Sequence, residues 1–240
     1  MINLEKSVIN LEKSIQKAGI DLEKRKCNVV FCIDNSGSMY ELYRNKIVQK
    51  VTERIFPVAM KFDDDQRLEF YTFDHEYKKY PDVTINNLDN YIDNNRIKDS
   101  GGTEYANPMR QILIEKSNDL LPTMVIFITD GDSSDKIETE KLIIEASKYP
   151  IFFKFIGIGG ARFDFLEKLD DLDGRYVDNA NFIKINNIDS VSDEELYDMI
   201  LVEFDDWYKI KPQPSQYQEA SIIRDSEIIK PKRKKIFGLF

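Results

Sequence analysis

Apolar positions along this chain switch between two periods. Short runs rich in β-branched and aromatic residues read as strands, buried ones at 28–33 (NVVFCI), 124–128 (MVIFI) and 151–156 (IFFKFI), and a further one at 68–73 (LEFYTF). Between them apolar residues recur every three or four positions, over 39–61 (Leu42, Ile47, Val51, Ile55, Val58, Ala59), 105–116 and 136–148, and these read as helices. Pro57 is expected to kink the 39–61 helix late or to bound it. Residues 76–85 read as a third strand at a sheet edge, because Pro81 cannot donate to a ladder, and 86–94 as a short helix or turn. The pattern further predicts a short helix at 162–169, a strand region at 174–177 with 182–185, and a last amphipathic helix over 193–209 bearing Leu196, Met199, Ile200, Val202, Phe204 and Trp207. Strands alternating with helices at this spacing define an α/β fold: a doubly wound, mainly parallel, Rossmann-like sheet with helices on both faces. Ligands of such sheets bind beyond the carboxyl ends of central strands, where the strand order reverses.

The two ends of the chain depart from this rhythm. INLEKS occurs at 2–7 and again at 9–14, and IDLEKR follows at 20–25, so the offsets are 7 and 11. Both keep Ile and Leu near one face of a helix, although Ile-x-Leu also fits an alternating strand. An amphipathic helix over at least 11–17 is expected, either covering a seam of the main domain or docking on a partner. At the other end Pro212, Pro214 and Pro231 precede KRKKIFGLF. The basic cluster at 230–235, followed by Ile236, Phe237, Leu239 and Phe240, suits a weak contact with an anionic membrane surface or a partner groove, each basic residue adding roughly 1 kcal/mol; a solvated tail is the plain alternative. The expected organisation is an arm at 1–26, one domain at 27–210 and a tail at 211–240.

Composition narrows the function. A chain of 240 residues, 42% hydrophobic and 12% aromatic, is long enough to bury one large core. Its net charge of −9 would be more negative still without the basic tail, so the body should repel a phosphate backbone, and no nucleic-acid role is expected. Cys27 and Cys32 sit at the two ends of the first strand, too far apart for a disulfide, and read as small core residues. The N-terminal residues are charged throughout, and no run approaches the roughly 18 apolar residues of a membrane span, so the cytoplasm is the expected compartment.

Candidate chemistry gathers at the strand ends. The first strand runs into DNSGSM, where Asp34, Ser36 and Ser38 alternate and Gly37 lets the backbone come close to a ligand. The loop DSGGT at 99–103 supplies Thr103, and the 124–128 strand runs into Thr129 and Asp130. Three hydroxyls and two carboxylates on one rim suit Mg²⁺, which prefers about six oxygens and keeps a position for an outside ligand. Neutral hydroxyls around the metal leave it electrophilic enough to accept a carboxylate from another molecule. Helix capping by Asp34, Asp130 or Ser36 is the bland alternative, but it explains neither the DxSxS pattern nor the GGT loop.

DNSGSM after an apolar strand, GGT before a helix and ITDGD at the end of a later strand together resemble the von Willebrand factor A (vWA) domain with its metal-ion-dependent adhesion site, over about 27–209. The Leu-Glu-Lys repeats and the stretch at 40–65 are similar to the bacterial tellurium-resistance, TerF-like branch of that family. The resemblance implies a divalent cation, Mg²⁺ with Mn²⁺ or Ca²⁺ as alternatives, held by Ser36, Ser38 and Thr103, with Asp34 and Asp130 bound directly or through water. It implies an open position for an acidic side chain of a partner protein, and hence a non-enzymatic binding module of a stress-response type system. Glu104 stands where related sequences often have an amide, and would compete for that position or weaken anion binding.

Other readings explain less. His75, the only histidine, follows the second strand and reads as a solvent-exposed loop residue. Gly157, Gly159 and Gly160 resemble a dinucleotide loop, but Arg162 occupies the third glycine position and no P-loop lysine follows, which leaves a tight turn. Twelve-residue calcium loops fail, since Asn45 and Lys141 stand where a bidentate glutamate is required. A Mg²⁺-dependent phosphoester hydrolase using Asp34, Asp130 and Asp132 is the remaining alternative.

Overall fold

The structure, a computed structural model, describes residues 3–98 and 101–213. The readings of the tail beyond 213, and of Asp99 and Ser100, lie outside the described residues. Among those described, six strands form one sheet in the order β3-β2-β1-β4-β5-β6. They are β1 Asn28–Asp34, β2 Leu68–Phe73, β3 Tyr77–Val83, β4 Thr123–Thr129, β5 Ile151–Ile158 and β6 Ala180–Ile185. All pairings are parallel except that of β3, which closes one edge antiparallel to β2. Pro81 lies within β3, beside a shift of register against β2, where a missing donor is tolerated.

Alternating residues of the central strands feed two cores. Val29, Phe31 and Ile33 of β1 face the side covered by α1 Leu4–Lys17, α3 Ile47–Phe62, α4 Tyr91–Asn94, α8 Asp193–Leu201 and α9 Phe204–Ile210. Val30 and Cys32 face α5 Ala106–Lys116, α6 Lys136–Ala146 and α7 Asp164–Asp170. Cys27 and Cys32 therefore lie on opposite faces, both buried and unbridged. The chain winds outward from β1 through β2 to β3, returns to β4, and winds outward again through β5 to β6. Its order reverses between the carboxyl ends of β1 and β4, where Asp34 and Asp130 stand.

Three expected elements differ. The 39–61 helix divides into a single 3₁₀ turn at Gly37–Met39, a short α2 Tyr40–Arg44 and the long α3, because Lys46 adopts a left-handed conformation (φ 59°). Pro57 sits inside α3 without ending it. The 193–209 helix breaks between α8 and α9 at Glu203 (φ 63°). The buried Lys154 ammonium takes the carbonyls of Met199 (3.1 Å) and Val202 (2.9 Å), which an unbroken helix would use itself. Residues 174–177 stay outside the sheet: Arg175 binds the Leu172 and Asp170 carbonyls and the Tyr176 N–H donates to Ser147 Oγ, so this backbone is committed elsewhere.

The first two N-terminal repeats form α1, a longer helix than the 11–17 minimum, with Asn3 accepting from the Lys6 N–H at its start, while the third makes only a 3₁₀ turn at Leu22–Lys24. Leu11 and Ile15 are buried against α3 and α8, while Ser7 donates to Asp193 Oδ2 (2.6 Å) and Ser14 to the Glu194 carbonyl (3.2 Å). Arg54 of α3 completes this seam, reaching Asp193 Oδ1 (2.7 Å) and the carbonyls of Ile188 (2.8 Å) and Val191 (2.6 Å). Among the described residues no helix is long and apolar enough to cross a membrane.

Candidate metal centre

The centre begins with how β1 ends. Asp34, with no exposed surface, turns the chain at once: its Oδ1 accepts the Ser36 N–H at 2.7 Å, and its Oδ2 accepts the Thr129 hydroxyl of β4 at 2.6 Å. One carboxylate thus ties together the ends of the two strands between which the sheet order reverses. Tyr43 of α2 adds a bond to the Asp34 carbonyl (3.1 Å), so the whole turn is held from both sides. The tight Asx turn brings the two serine hydroxyls to 3.0 Å of each other, and Ser38 Oγ then donates to Asp130 Oδ1 at 2.7 Å.

Thr103 joins this group through its loop. The Gly37 N–H donates to the Gly101 carbonyl (3.1 Å), and the Thr103 carbonyl accepts from the Ser134 N–H (2.9 Å) and hydroxyl (3.1 Å). Among the described residues no side-chain hydrogen bond links Thr103 to the other four. Asp34, Ser36, Ser38 and Asp130 are therefore brought together directly, and Thr103 by the backbone on either side of it. Asp135 fastens the same two loops, accepting the N–H groups of Tyr105 (3.0 Å) and Ala106 (2.8 Å) at the start of α5.

Electrostatics set this rim apart. Burial pushes the Asp34 carboxyl up to about 6, against the hydrogen bonds from Thr129 and Ser36, and nearby Asp130 adds to the rise. Burial also raises Asp130, with the Ser38 hydroxyl opposing it. Among the described residues neither carboxylate has an ion-pair partner. Linked oxygens 2.7 and 3.0 Å apart compare with the separation of about 3.0 Å between adjacent ligands of an octahedron with bonds near 2.1 Å. An all-oxygen donor set of this spacing, with two carboxylates and no counter-charge, suits a hard divalent cation.

Two other carboxylates of the rim are turned away. Asp132 Oδ2 is paired with Lys136 at 2.6 Å. Glu104 Oε2 accepts from Asn107 (3.3 Å) and its Oε1 faces His75 Nδ1 at 3.6 Å, so its contacts are with the flank of the site rather than with Asp34 or Asp130. The glycine loop after β5 is a turn leaving the sheet, its Gly159 N–H bound to the Ile185 carbonyl (2.9 Å). Beside Asp130 lies a groove of about 260 Å³, lined by Leu42, Ile47, Ile158 and Ile188 together with Asn186 and Asn187.

Sequence reasoning missed Thr129, Tyr43, Asp135 and the contact of His75 with the glycine loop. Ser133, Ser134 and Asp135 did offer a signal, a polar run before a helix; that Asp135 caps the neighbouring helix α5 is a fact of tertiary structure.

The chain matches the family model for the vWA-TerF-like group, described as the vWA found in the TerF C terminus, over residues 26–214. It belongs to the vWA family. It is 37% identical to the uncharacterized protein YcbR of Bacillus subtilis strain 168, over 97% of this chain and 98% of that one. Among solved structures, manganese-loaded Plasmodium vivax TRAP protein superposes with a TM-score of 0.53 at 14% identity, covering 75% of this chain and 74% of TRAP. Proximal thread matrix protein 1 from the mussel byssus gives 0.53 at 17% identity, over 75% of this chain and 48% of its own, so the chain spans about half of that protein. At these identities the two structures establish the shared fold.

Proposed function

We propose that this protein is a divalent-cation-dependent protein-binding module. In this reading Ser36, Ser38 and Thr103 hold Mg²⁺, with Mn²⁺ or Ca²⁺ as substitutes, and Asp34 and Asp130 contribute directly or through water. The bound cation supplies one electrophilic position, which an acidic side chain of a partner protein fills. One observation carries the proposal: the Ser36–Ser38–Asp130 chain of oxygens, 3.0 and 2.7 Å apart, beside a buried Asp34 that no basic group among the described residues neutralises. Manganese in the TRAP structure, a protein of the same fold, supports the metal class. The apolar groove next to Asp130 suits a partner whose acidic residue is followed by an aliphatic one.

The hydrolase reading needs a third carboxylate, and one oxygen of Asp132 is already engaged by Lys136. A binding module built on an arm at 1–26, a vWA domain at 27–210 and a tail at 211–240, acting in the cytoplasm in a tellurium-resistance or related stress response, fits the TerF-like match. Capture of partners from a native host lysate on immobilised protein, with Mg²⁺ and with EDTA, tests this. A partner retained only with metal and lost with Asp130→Ala is the expected result; metal-dependent phosphoester turnover by the pure protein would favour the hydrolase.

A further inference from the structure

Thr103 follows two glycines, and a glycine pair by itself leaves the direction of the next residue open. Gly101 has φ 66°, and neither glycine has a side chain with which to anchor the loop. Gly37 holds the Gly101 carbonyl and Ser134 that of Thr103, and the peptide between them is anchored by the turn after β2. His75 Nε2 accepts the Gly102 N–H at 3.1 Å, and the imidazole lies close against both glycines. A Cβ on Gly102 would fall 2.5 Å from His75 Cε1 and 3.2 Å from each ring nitrogen, and one on Gly101 would fall 3.1 Å from Cδ2. The ring can occupy this place because Gly102 lacks a side chain, and a Cβ on Gly101 would crowd both the ring and Asp74.

The base of the imidazole is fixed in turn. Asn107 of α5 donates to the His75 carbonyl (2.7 Å), the Glu104 N–H donates to the Asp74 carbonyl (2.9 Å), and Asp74 Oδ1 closes its own turn on the Glu76 N–H (2.8 Å). Accepting through Nε2 puts the ring proton on Nδ1, which faces Glu104 Oε1 at 3.6 Å. The side chain nonetheless remains 63% exposed, so little buried area depends on it.

We propose that His75 is the positioning residue of the metal centre: its Nε2 orients the Gly102 peptide and thereby aims Thr103 at the cation. The proposal rests on the reading of Thr103 as a ligand. It gives the only histidine of the chain a task that needs an acceptor, and it accounts for the pair of glycines by the ring that covers them.

The test is calorimetric titration of Mg²⁺ into the EDTA-treated full chain, paired with urea unfolding of the metal-free protein, for wild type, His75→Ala, His75→Gln and Gly102→Ala. Loss of such a supporting group typically weakens metal binding by about 10–100-fold. His75→Ala is expected to show that loss with an unchanged urea midpoint, and Gly102→Ala, which collides with the ring, a similar one. His75→Gln, whose amide oxygen reaches about as far as Nε2, should recover most of the affinity. His75→Ala binding Mg²⁺ as tightly as wild type overturns the proposal, as does an affinity loss that His75→Gln fails to repair or that merely follows a lowered midpoint. A wild type that binds no divalent cation defeats the reading of the centre itself, an outcome separate from wild type and His75→Ala binding equally well.

Discussion

Asp34 at the end of β1 and Lys154 in the middle of β5 are both fully buried, on the two strands that flank β4. Their surroundings differ in kind. The Lys154 ammonium meets three oxygens, Asn181 Oδ1 and the carbonyls of Met199 and Val202, one for each N–H. Asp34 meets two donors, then a second carboxylate across a pair of hydroxyls, with no cation beside it among the described residues. Arg54 repeats the first pattern, every bond spent on Asp193 and on two carbonyls that join α3 to the start of α8. A closed polar cluster fixes where helices end and meet. An open one, left with excess negative charge on an exposed rim, is poised to take up a ligand.

If this contrast is real, mutations in the two kinds of cluster separate stability from metal response. Arg54→Ala should be the most damaging, because it removes the positive charge beside the Asp193 carboxylate, leaving it Ser7 alone, and takes a donor from two carbonyls; a loss of about 3–5 kcal/mol is expected by urea unfolding, with the Mg²⁺ response retained. Asp34→Asn acts in the opposite sense. Burial raises its carboxyl from 3.8 to about 6, so the native state binds more protons than the unfolded one between these values, and metal-free stability falls as pH rises through that window. The variant should fall less steeply there, the rest of the slope coming from groups such as Asp63 that burial also raises, and it should be more stable than metal-free wild type at pH 7 by about 3 kcal/mol at most, and silent to Mg²⁺. A destabilised Asp34→Asn would break the comparison.

Lys154→Met should cost about 2 kcal/mol by orphaning its acceptors. Burial lowers the Lys154 ammonium from 10.5 to about 7, so its contribution to stability grows as pH rises between these values, and chemical denaturation across that range should show wild type gaining relative to Lys154→Met. The smallest effect belongs to Thr129→Val, which removes one donor from Asp34; about 1 kcal/mol is expected in metal-free unfolding, together with weaker Mg²⁺ binding.

Much of this was legible in the chain. The apolar runs of β1, β4 and β5, the last interrupted by Lys154, announced a parallel sheet covered on both faces, and the alternation of strand and helix placed Asp34 and Asp130 on the same rim. What escaped depended on distant partners. The break at Glu203 is invisible in the apolar spacing of 193–209, which runs through it without interruption, because its cause is a lysine far away on β5. The division of the 39–61 helix at Lys46 likewise follows no Gly or Pro. Thr129 reads locally as one more β-branched strand residue, and only pairing of β4 with β1 turns its hydroxyl into the support of Asp34.

The central claim is that Asp34, Ser36, Ser38, Thr103 and Asp130 hold a divalent cation. The most direct measurement is the melting temperature of EDTA-stripped protein titrated with Mg²⁺ or Mn²⁺, in wild type and Ser36→Ala. The wild type should gain stability with the logarithm of metal concentration, reaching about 2.7 kcal/mol at roughly a hundredfold excess over Kd, while Ser36→Ala stays flat. A wild-type melting temperature that does not move with either metal, or a Ser36→Ala response equal to that of wild type, would contradict the account.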